Sequence, residues 1–394
     1  MPKLFPFRGL RPDQKYVEHV SAKSTDFSSK EDLVNEIQNN PFTFHHLTKG
    51  HLRYSGSYQS PEKFLPFALQ YIRKMKADGI LLQELEESFY VYEQVDQNGI
   101  SYKGIIALCS VDDYNNNKIK KHEEIRPSRL HYLVELFKTA KVLGEPTLLA
   151  YKGNIAIDSY KTKPVFSFQS PDGKKHIVSK VTLSEEMDRL NHEFELIDGF
   201  YIADGHHRSA SVSKFNEVSH HYFNDKMMCF VIQEDQLSIL PFHRLVNSIH
   251  LNDKVSILSK LSEEFDVKKS TESIYIVNNE GTFGIYLDKE WYEISFRGDR
   301  AGRLDVEIIE QHIIYNVFGI SNSSTDSQIA FHPHTQGENE MCKLIDSGIY
   351  TIGITNKPCS FEEVRKVSDQ NKTLPPKSTY IEPKLRSGMI IQEF

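Results

Sequence analysis

The sequence predicts a mixed α/β fold of the α+β kind, built in two parts. Three observations carry that expectation. Amphipathic helical stretches and short β-branched or aromatic runs interleave along the whole length. Two hairpin signals, Asp96-Gln97-Asn98-Gly99 and Pro171-Asp172-Gly173, each sit between two such runs. No repeat period or low-complexity block interrupts the pattern, and 394 residues suffice for more than one hydrophobic core.

Taken in order, residues 1–30 read as an irregular entry in which Arg8 and Arg11 lie on loop beside Gly9 and Pro12. Ser28-Ser29-Lys30-Glu31 reads as a capping box opening a helix through Leu33, Val34 and Ile37, which Pro41 ends. Phe42 to Leu47 alternates weakly and reads as a strand. Residues 61–86 carry a helical pattern closed by Asp78-Gly79. Ser88–Val95 and Lys103–Leu108 flank the first turn signal, and Val165–Phe168 and Lys175–Val178 flank the second. Residues 128–142 read as an amphipathic helix, Pro146–Tyr151 as a buried strand, and Leu183–Phe194 as a helix capped by Ser184 or Thr182.

The stretch that follows organises the chain. Phe200-Tyr201-Ile202-Ala203 is a buried strand, Asp204-Gly205 a turn, and His206-His207-Arg208-Ser209-Ala210 a helix start running to about Phe215. A strand, a glycine turn and a helix N-terminus make an anion site, because backbone N–H groups and the helix dipole both favour negative charge there. Arg208 and two histidines add side-chain donors suited to phosphate. As a bare Asp-Gly turn, the corner needs no ligand at all.

Met227–Ile232 reads as a buried strand, and Leu237–Val246 carries a second His-Arg pair, His243-Arg244, at a strand end. That pair either faces the first His-His-Arg across a cleft or lies on the surface. The rest reads as a helix from Val255 to Phe265, strands around 273–277 and 282–287, and a helix over 304–318. Strands near 326–331 and 350–354 and a helix over 361–368 complete it. The proline-stiffened tail holds Lys377, Ser378, Thr379 and Lys384, and is either a wall of the anion site or a docking strap. A boundary near residue 250 divides a core, 1–250, from a C-terminal α/β portion, 251–394, whose last segment packs back on the core.

Composition narrows the function. Net charge is −7 and no basic tract appears, which gives no support for nucleic-acid binding. No run of ~18 apolar residues could span a membrane, and the start lacks a signal-peptide core, so a cytoplasmic location is expected. Cys109, Cys229, Cys342 and Cys359 are too scattered for a disulfide framework or a zinc site. A metal centre on His206, His207 and His243 is disfavoured, because adjacent histidines rarely hold one ion without distant ligands; no protein-held metal is expected.

Six pieces together resemble domain-of-unknown-function family 1015. They are Pro6-Phe7-Arg8-Gly9-Leu10, Asn40-Pro41, Lys120-Lys121-His122-Glu123, Tyr201 to Arg208, Phe242-His243-Arg244, and Pro375-Pro376-Lys377-Ser378-Thr379 with Glu382-Pro383-Lys384. Where that family usually has Pro-Tyr-Asp, this chain has Ser24-Thr25-Asp26, keeping only Asp26. The Asp-Gly-His-x-Arg turn is also similar to the phosphate-binding motif of ParB-type domains, sulfiredoxin and free serine kinases. This likeness implies a ParB/sulfiredoxin-like nucleotide-binding core in which Asp204, Gly205, His206, His207 and Arg208 cradle phosphates.

The reading that results is a phosphotransferase acting on a small hydroxylated metabolite, best serine or phosphoserine, with ATP or ADP. His206, His207, Arg208, His243 and Arg244 would neutralise phosphate charge, joined by Lys377, Ser378 and Thr379. Glu123 or Asp26 would accept the hydroxyl proton, while Asp204 holds a histidine or a metal ion. Mg²⁺ is expected to accompany the nucleotide. His122 and Arg8 are further candidates. Alternatives are a phosphoserine phosphatase using the same donors with water, and a non-catalytic nucleotide-sensing regulator.

Overall fold

A computed structural model describes residues 2–24, 28–53, 61–219, 225–248, 251 and 253–394. The fold is mixed α/β, and the chain divides into two compact units, Met1–Leu237 with Pro383–Phe394, and Ser238–Glu382.

The first unit is built on one sheet. Its strands are β1 (Leu4–Phe5), β2 (Phe89–Val95), β3 (Ser101–Ser110), β4 (Ile119–Lys120), β5 (Thr147–Tyr151), β6 (Lys163–Gln169), β7 (Lys175–Val181), β8 (Phe200–Asp204) and β9 (Lys226–Gln233). Their order is β4-β8-β5-β9-β3-β2-β7-β6, with β1 beside β3. Both expected hairpins form. At the first, Asp96 Oδ1 accepts from the N–H groups of Asn98 and Ile100, each at 2.8 Å, which closes the turn. Met228 to Ile232 on β9 is buried throughout, as suits a strand lying between the parallel β5 and the antiparallel β3.

Helices that accompany this sheet include α1 (Lys30–Asn39), α2 (His45–Thr48), α3 (Leu65–Ala77), α4 (Pro127–Ala140), α5 (Ser184–Glu195) and α6 (His206–Val218), with shorter ones at Val17–Val20 and Val111–Asn115. The cap of α1 lies one residue later than expected: Ser29 and Asp32 form the capping box. Residues 42–47 do not form the expected strand. Phe44 donates its N–H to Val20 and His46 donates to Thr43, so the segment becomes a turn leading into α2. Alternation over so short a run does not separate strand from helix. No side chain caps α5, although Thr182 and Ser184 flank its start.

The last residues return to this unit for an identifiable reason. The Phe394 ring lies 5.8 Å from Phe137 on α4 and 5.4 Å from Phe215 on α6. Gln392 Oε1 accepts from the Met228 N–H at 2.9 Å, a hydrogen bond to the buried central strand.

The second unit is an antiparallel sheet with helices on both faces. Its strands are β10 (Phe242–Val246), β11 (Phe265–Lys269), β12 (Thr282–Leu287), β13 (Glu290–Phe296), β14 (Ile329–Pro333) and β15 (Ile352–Asn356), ordered β11-β13-β12-β15-β10-β14. Its helices are α7 (Lys254–Leu261), α8 (Asp305–Ile308), α9 (Glu338–Asp346) and α10 (Phe361–Asp369). One face buries Ile257, Leu261, Ile308, Ile309, Ile313 and Ile314 against Val246, Phe283, Ile285, Ile294 and Ile354. The other buries Met341 and Ile345 against Leu245, Tyr286 and Trp291.

Several expectations change here. Ser238–Leu240 pairs with Tyr380–Glu382, and β10 pairs with β14 and β15. The division therefore falls at Leu237/Ser238, before the boundary read near residue 250. Residues 273–277 are not a strand; β13 pairs with β11, whose first residue, Phe265, closes the expected helix and whose remaining residues carry no expected element. The helix read over 304–318 is α only to Ile308 and π-helical over Ile309–Tyr315. The pairs Ile308/Ile309 and Ile313/Ile314 recur at five residues, a spacing that the wider turn keeps on one face.

Candidate functional site

The corner forms as expected. β8 ends at Asp204, Gly205 takes φ +97°, and α6 begins at His206. A left-handed residue is needed to turn so sharply, and glycine adopts it without a Cβ penalty. A Cβ at this position would stand 2.7 Å from Arg208 Nη2. Gly205 also has no side chain to cap α6, so the first-turn N–H groups are left to other acceptors.

Asp204 is the electrostatic centre. Its Oδ2 accepts from Arg208 Nη2 at 2.9 Å and its Oδ1 accepts from Lys384 Nζ at 3.1 Å. Burial alone would raise its pKa, but Lys384 and Arg208 outweigh burial and hold the carboxyl well below the usual range. Arg208 Nη1 reaches Glu145 Oε1 at 2.5 Å. The guanidinium is thus stretched flat between two carboxylates at the mouth of the helix. Thr147 on β5 and Ser209 on α6 share a buried hydroxyl contact at 2.9 Å that fixes the helix start against the sheet.

The two histidines are held differently. His206 is buried, and its Nε2 accepts the His122 N–H at 3.3 Å. Burial, then the nearby His122, push its pKa well below the ordinary value, so it is neutral near pH 7. With Nε2 accepting, the proton sits on Nδ1, 3.4 Å from Glu123 Oε2. The contact is a long neutral one, not an ion pair. The His122 ring packs edge-on at 4.4 Å, and burial pushes its pKa down to about 4. His207 Nε2 accepts from the Arg126 N–H at 3.0 Å on the exposed side of the turn.

The first unit therefore brings together His122, Glu123, Asp204, Gly205, His206, His207 and Arg208. Asp204 holds two cations, not a histidine. Arg8 is exposed on the entry segment, and Asp26 lies outside the described residues. The remaining candidates belong to the second unit. Arg244 is fully buried and donates Nη1 to the Phe242 carbonyl at 2.7 Å and to Asn356 Oδ1 at 3.2 Å. His243 Nε2 lies 3.3 Å from Glu338 Oε1. Lys377 Nζ stands 5.4 Å over the Phe242 ring, Ser378 Oγ donates to the Pro375 carbonyl at 2.7 Å, and Thr379 is half-buried.

Sequence reasoning passed over Glu145 and Arg126. Glu145 precedes β5, which pairs with β8 so that Leu148 lies opposite Asp204. Adjacency in the sheet was the only signal, and it requires the strand order. Two surface cavities of this unit, about 510 Å³ beside Gln14 and Ser170 and about 180 Å³ beside Lys103 and Tyr160, contain no residue of the corner. No helix of the described residues is long and apolar enough to cross a membrane.

A mixed α/β protein with a strand–turn–helix corner braced by paired charges is the class these features define. The chain belongs to the family described as protein of unknown function, DUF1015, whose model matches residues 4–310. Among curated proteins, none matches. Among solved structures, it is similar to a free serine kinase mutant in complex with AMP at 14% identity and TM-score 0.41, covering 73% of this chain and 91% of that one. A conserved hypothetical protein from Pyrococcus furiosus matches at 13% identity and TM-score 0.37, over 70% of this chain and 90% of its own. C-terminally truncated SbnI from Staphylococcus aureus matches at 15% identity and TM-score 0.40, over 70% of this chain and 82% of its own.

Proposed function

We propose that the chain is a phosphotransferase that moves a phosphoryl group between a nucleotide, ATP or ADP, and a small hydroxylated metabolite, serine or phosphoserine. The observation that carries this reading is Arg208 and Lys384 fixed on one partly buried carboxylate, Asp204, at the uncapped start of α6. Phosphoryl transfer asks chiefly for positioned positive charge. Here the cations are oriented before a ligand arrives, so little is lost in ordering them.

In this reading the first-turn N–H groups, Arg208, Lys384 and His207 hold the phosphates. Glu123, half exposed, accepts the hydroxyl proton of the acceptor. His206 is a positioning residue: its Nδ1–H steers the Glu123 carboxylate while its own burial keeps it neutral. Mg²⁺ enters with the nucleotide and supplies charge neutralisation at the phosphate oxygens. Asp204 does not fit as its ligand, because both carboxylate oxygens already face cations. Glu145 already keeps Oε1 on Arg208, so Glu123 is the corner carboxylate that would hold it.

The test is exchange of labelled phosphate between serine and ATP or ADP in the presence of Mg²⁺. Arg208→Ala should lower the rate about 10²–10³-fold, the usual cost of removing one charge-stabilising donor. Absence of exchange across a panel of nucleotides and hydroxylated acceptors overturns the proposal.

A further inference from the structure

The second unit carries a cluster that the phosphate reading does not use. His243 on β10, His334 in the turn after β14 and Glu338 at the start of α9 each offer one ligand atom, all within 4.8 Å of one another. Glu338 Oε1 lies 3.3 Å from His243 Nε2 and 3.0 Å from His334 Nδ1. Zinc binds imidazole nitrogen and carboxylate oxygen at about 2.0–2.2 Å, so neighbouring ligands of a tetrahedral ion stand about 3.3 Å apart. The two separations to Glu338 lie near that edge, and the third is no more than 4.8 Å.

A second observation separates the cluster from an ordinary hydrogen-bond network. His334 Nδ1 is buried and lies 3.0 Å from a carboxylate oxygen, yet makes no hydrogen bond. Its in-plane lone pair or proton is aimed away from Oε1. Two donors close together but not aimed at each other is the arrangement that ligands converging on a third point produce.

The surroundings are built to hold these atoms. Gly337, at φ +79°, reverses the chain between His334 and Glu338. His332 Nε2 donates to the Gly337 carbonyl at 3.0 Å, and the His334 N–H donates to the Pro241 carbonyl at 3.2 Å. The turn is thereby tied at both ends to the strand pair that carries His243. His243 is 2% exposed, whereas the His334 side chain is 40% exposed, which leaves a solvent-side route and a fourth position for water.

We propose that His243, His334 and Glu338 form a binding site for a single Zn²⁺-type transition-metal ion, which clips the start of α9 to β10. Two imidazoles and one carboxylate favour such an ion over Mg²⁺, which prefers oxygen. The site stands on the second unit alone and is independent of the phosphotransferase reading.

The test uses the full-length chain stripped of metal and dialysed against Co²⁺ or Zn²⁺. One equivalent of each should bind, Co²⁺ should show the intense visible bands of a low-coordinate site, and millimolar Mg²⁺ should not compete. Glu338→Gln and His334→Ala should each weaken binding at least tenfold, the loss expected for a damaged site. His334 is half exposed, so His334→Ala should keep the far-ultraviolet circular dichroism of the parent. Failure to bind either ion stoichiometrically, or unchanged binding in both variants, overturns the proposal.

Discussion

Replacing Asp204 by asparagine keeps the shape of the side chain and removes the charge that Lys384 and Arg208 share at 3.1 and 2.9 Å. Exposed ion pairs contribute roughly 0–1 kcal/mol, whereas breaking a buried one costs about 3–5 kcal/mol. The three side chains are 31%, 15% and 17% exposed, which places them between these limits. Arg208 keeps Glu145 at 2.5 Å, which favours the lower half of the range. The expected loss is about 2 kcal/mol, or roughly 4–8 °C in Tm for a unit of this size. The pH dependence adds a second signature. Asp204 has a folded pKa held below its unfolded value of about 3.9, so its contribution is complete above about pH 4 and is lost as pH falls through the folded value. The gap between parent and Asp204→Asn should stay level from pH 8 to about 5 and close below about 4. Thermal unfolding followed by circular dichroism across that range measures it. A gap under about 0.5 kcal/mol at pH 7, or one that widens in acid, refutes the ion-pair account.

Three further outcomes are expected. His122 is neutral when folded, with a pKa near 4 against about 6.5 unfolded, so its contribution is full above pH 6.5 and is lost as pH falls toward 4. That loss is up to about 3 kcal/mol, and His122→Asn should flatten this acid limb of the stability curve; identical slopes would contradict it. Gly205→Ala must adopt φ +97° and crowd Arg208 off Asp204, costing about 1–3 kcal/mol and reducing the thermal shift produced by nucleotide. Glu123→Gln should lower kcat for phosphate exchange about 10²–10⁴-fold while KM for nucleotide changes little; a loss confined to KM would assign Glu123 to binding.

Much of the first unit was legible because its signals are local. The hairpin at Asp96 to Gly99 closes on the side chain of Asp96 itself, and the strand β8, the turn at Gly205 and the helix α6 follow from adjacent residues. The second unit was less legible because its signals are tertiary. β11 follows α7 without a breaker, and only pairing with β13 makes it a strand. Helix α9 carries just Met341 and Ile345 as buried apolar positions, too few to register as a period without the sheet they cover. The π-helical turn was encoded in the five-residue spacing of its isoleucines, a period that a search for 3.6 discards.

The candidate site divides along the same line. His206, His207 and Arg208 are consecutive, so a turn signal exposes them; their electrostatic partners are not. Lys384 lies 180 residues from Asp204 in sequence, and it arrives because the last residues rejoin the first unit. Glu145 arrives because β5 lies next to β8. A corner defined by its own residues is only an anion-binding turn, which many folds possess without using. Its specific character comes from Asp204 fixing one cation from α6 and a second from the far end of the chain. Loss of the C-terminal segment should therefore damage the corner even though no residue of the motif is touched. The same logic makes Lys384→Met the sharpest probe of whether the corner works as a unit. It leaves the motif intact, Asp204 retains Arg208 at 2.9 Å, and the corner loses one fixed positive charge. Phosphate affinity should then fall about tenfold or more at low salt, with a weaker salt dependence than the parent. Equal affinity and equal salt slope would show that Lys384 only braces Asp204 and does not contribute to holding an anion.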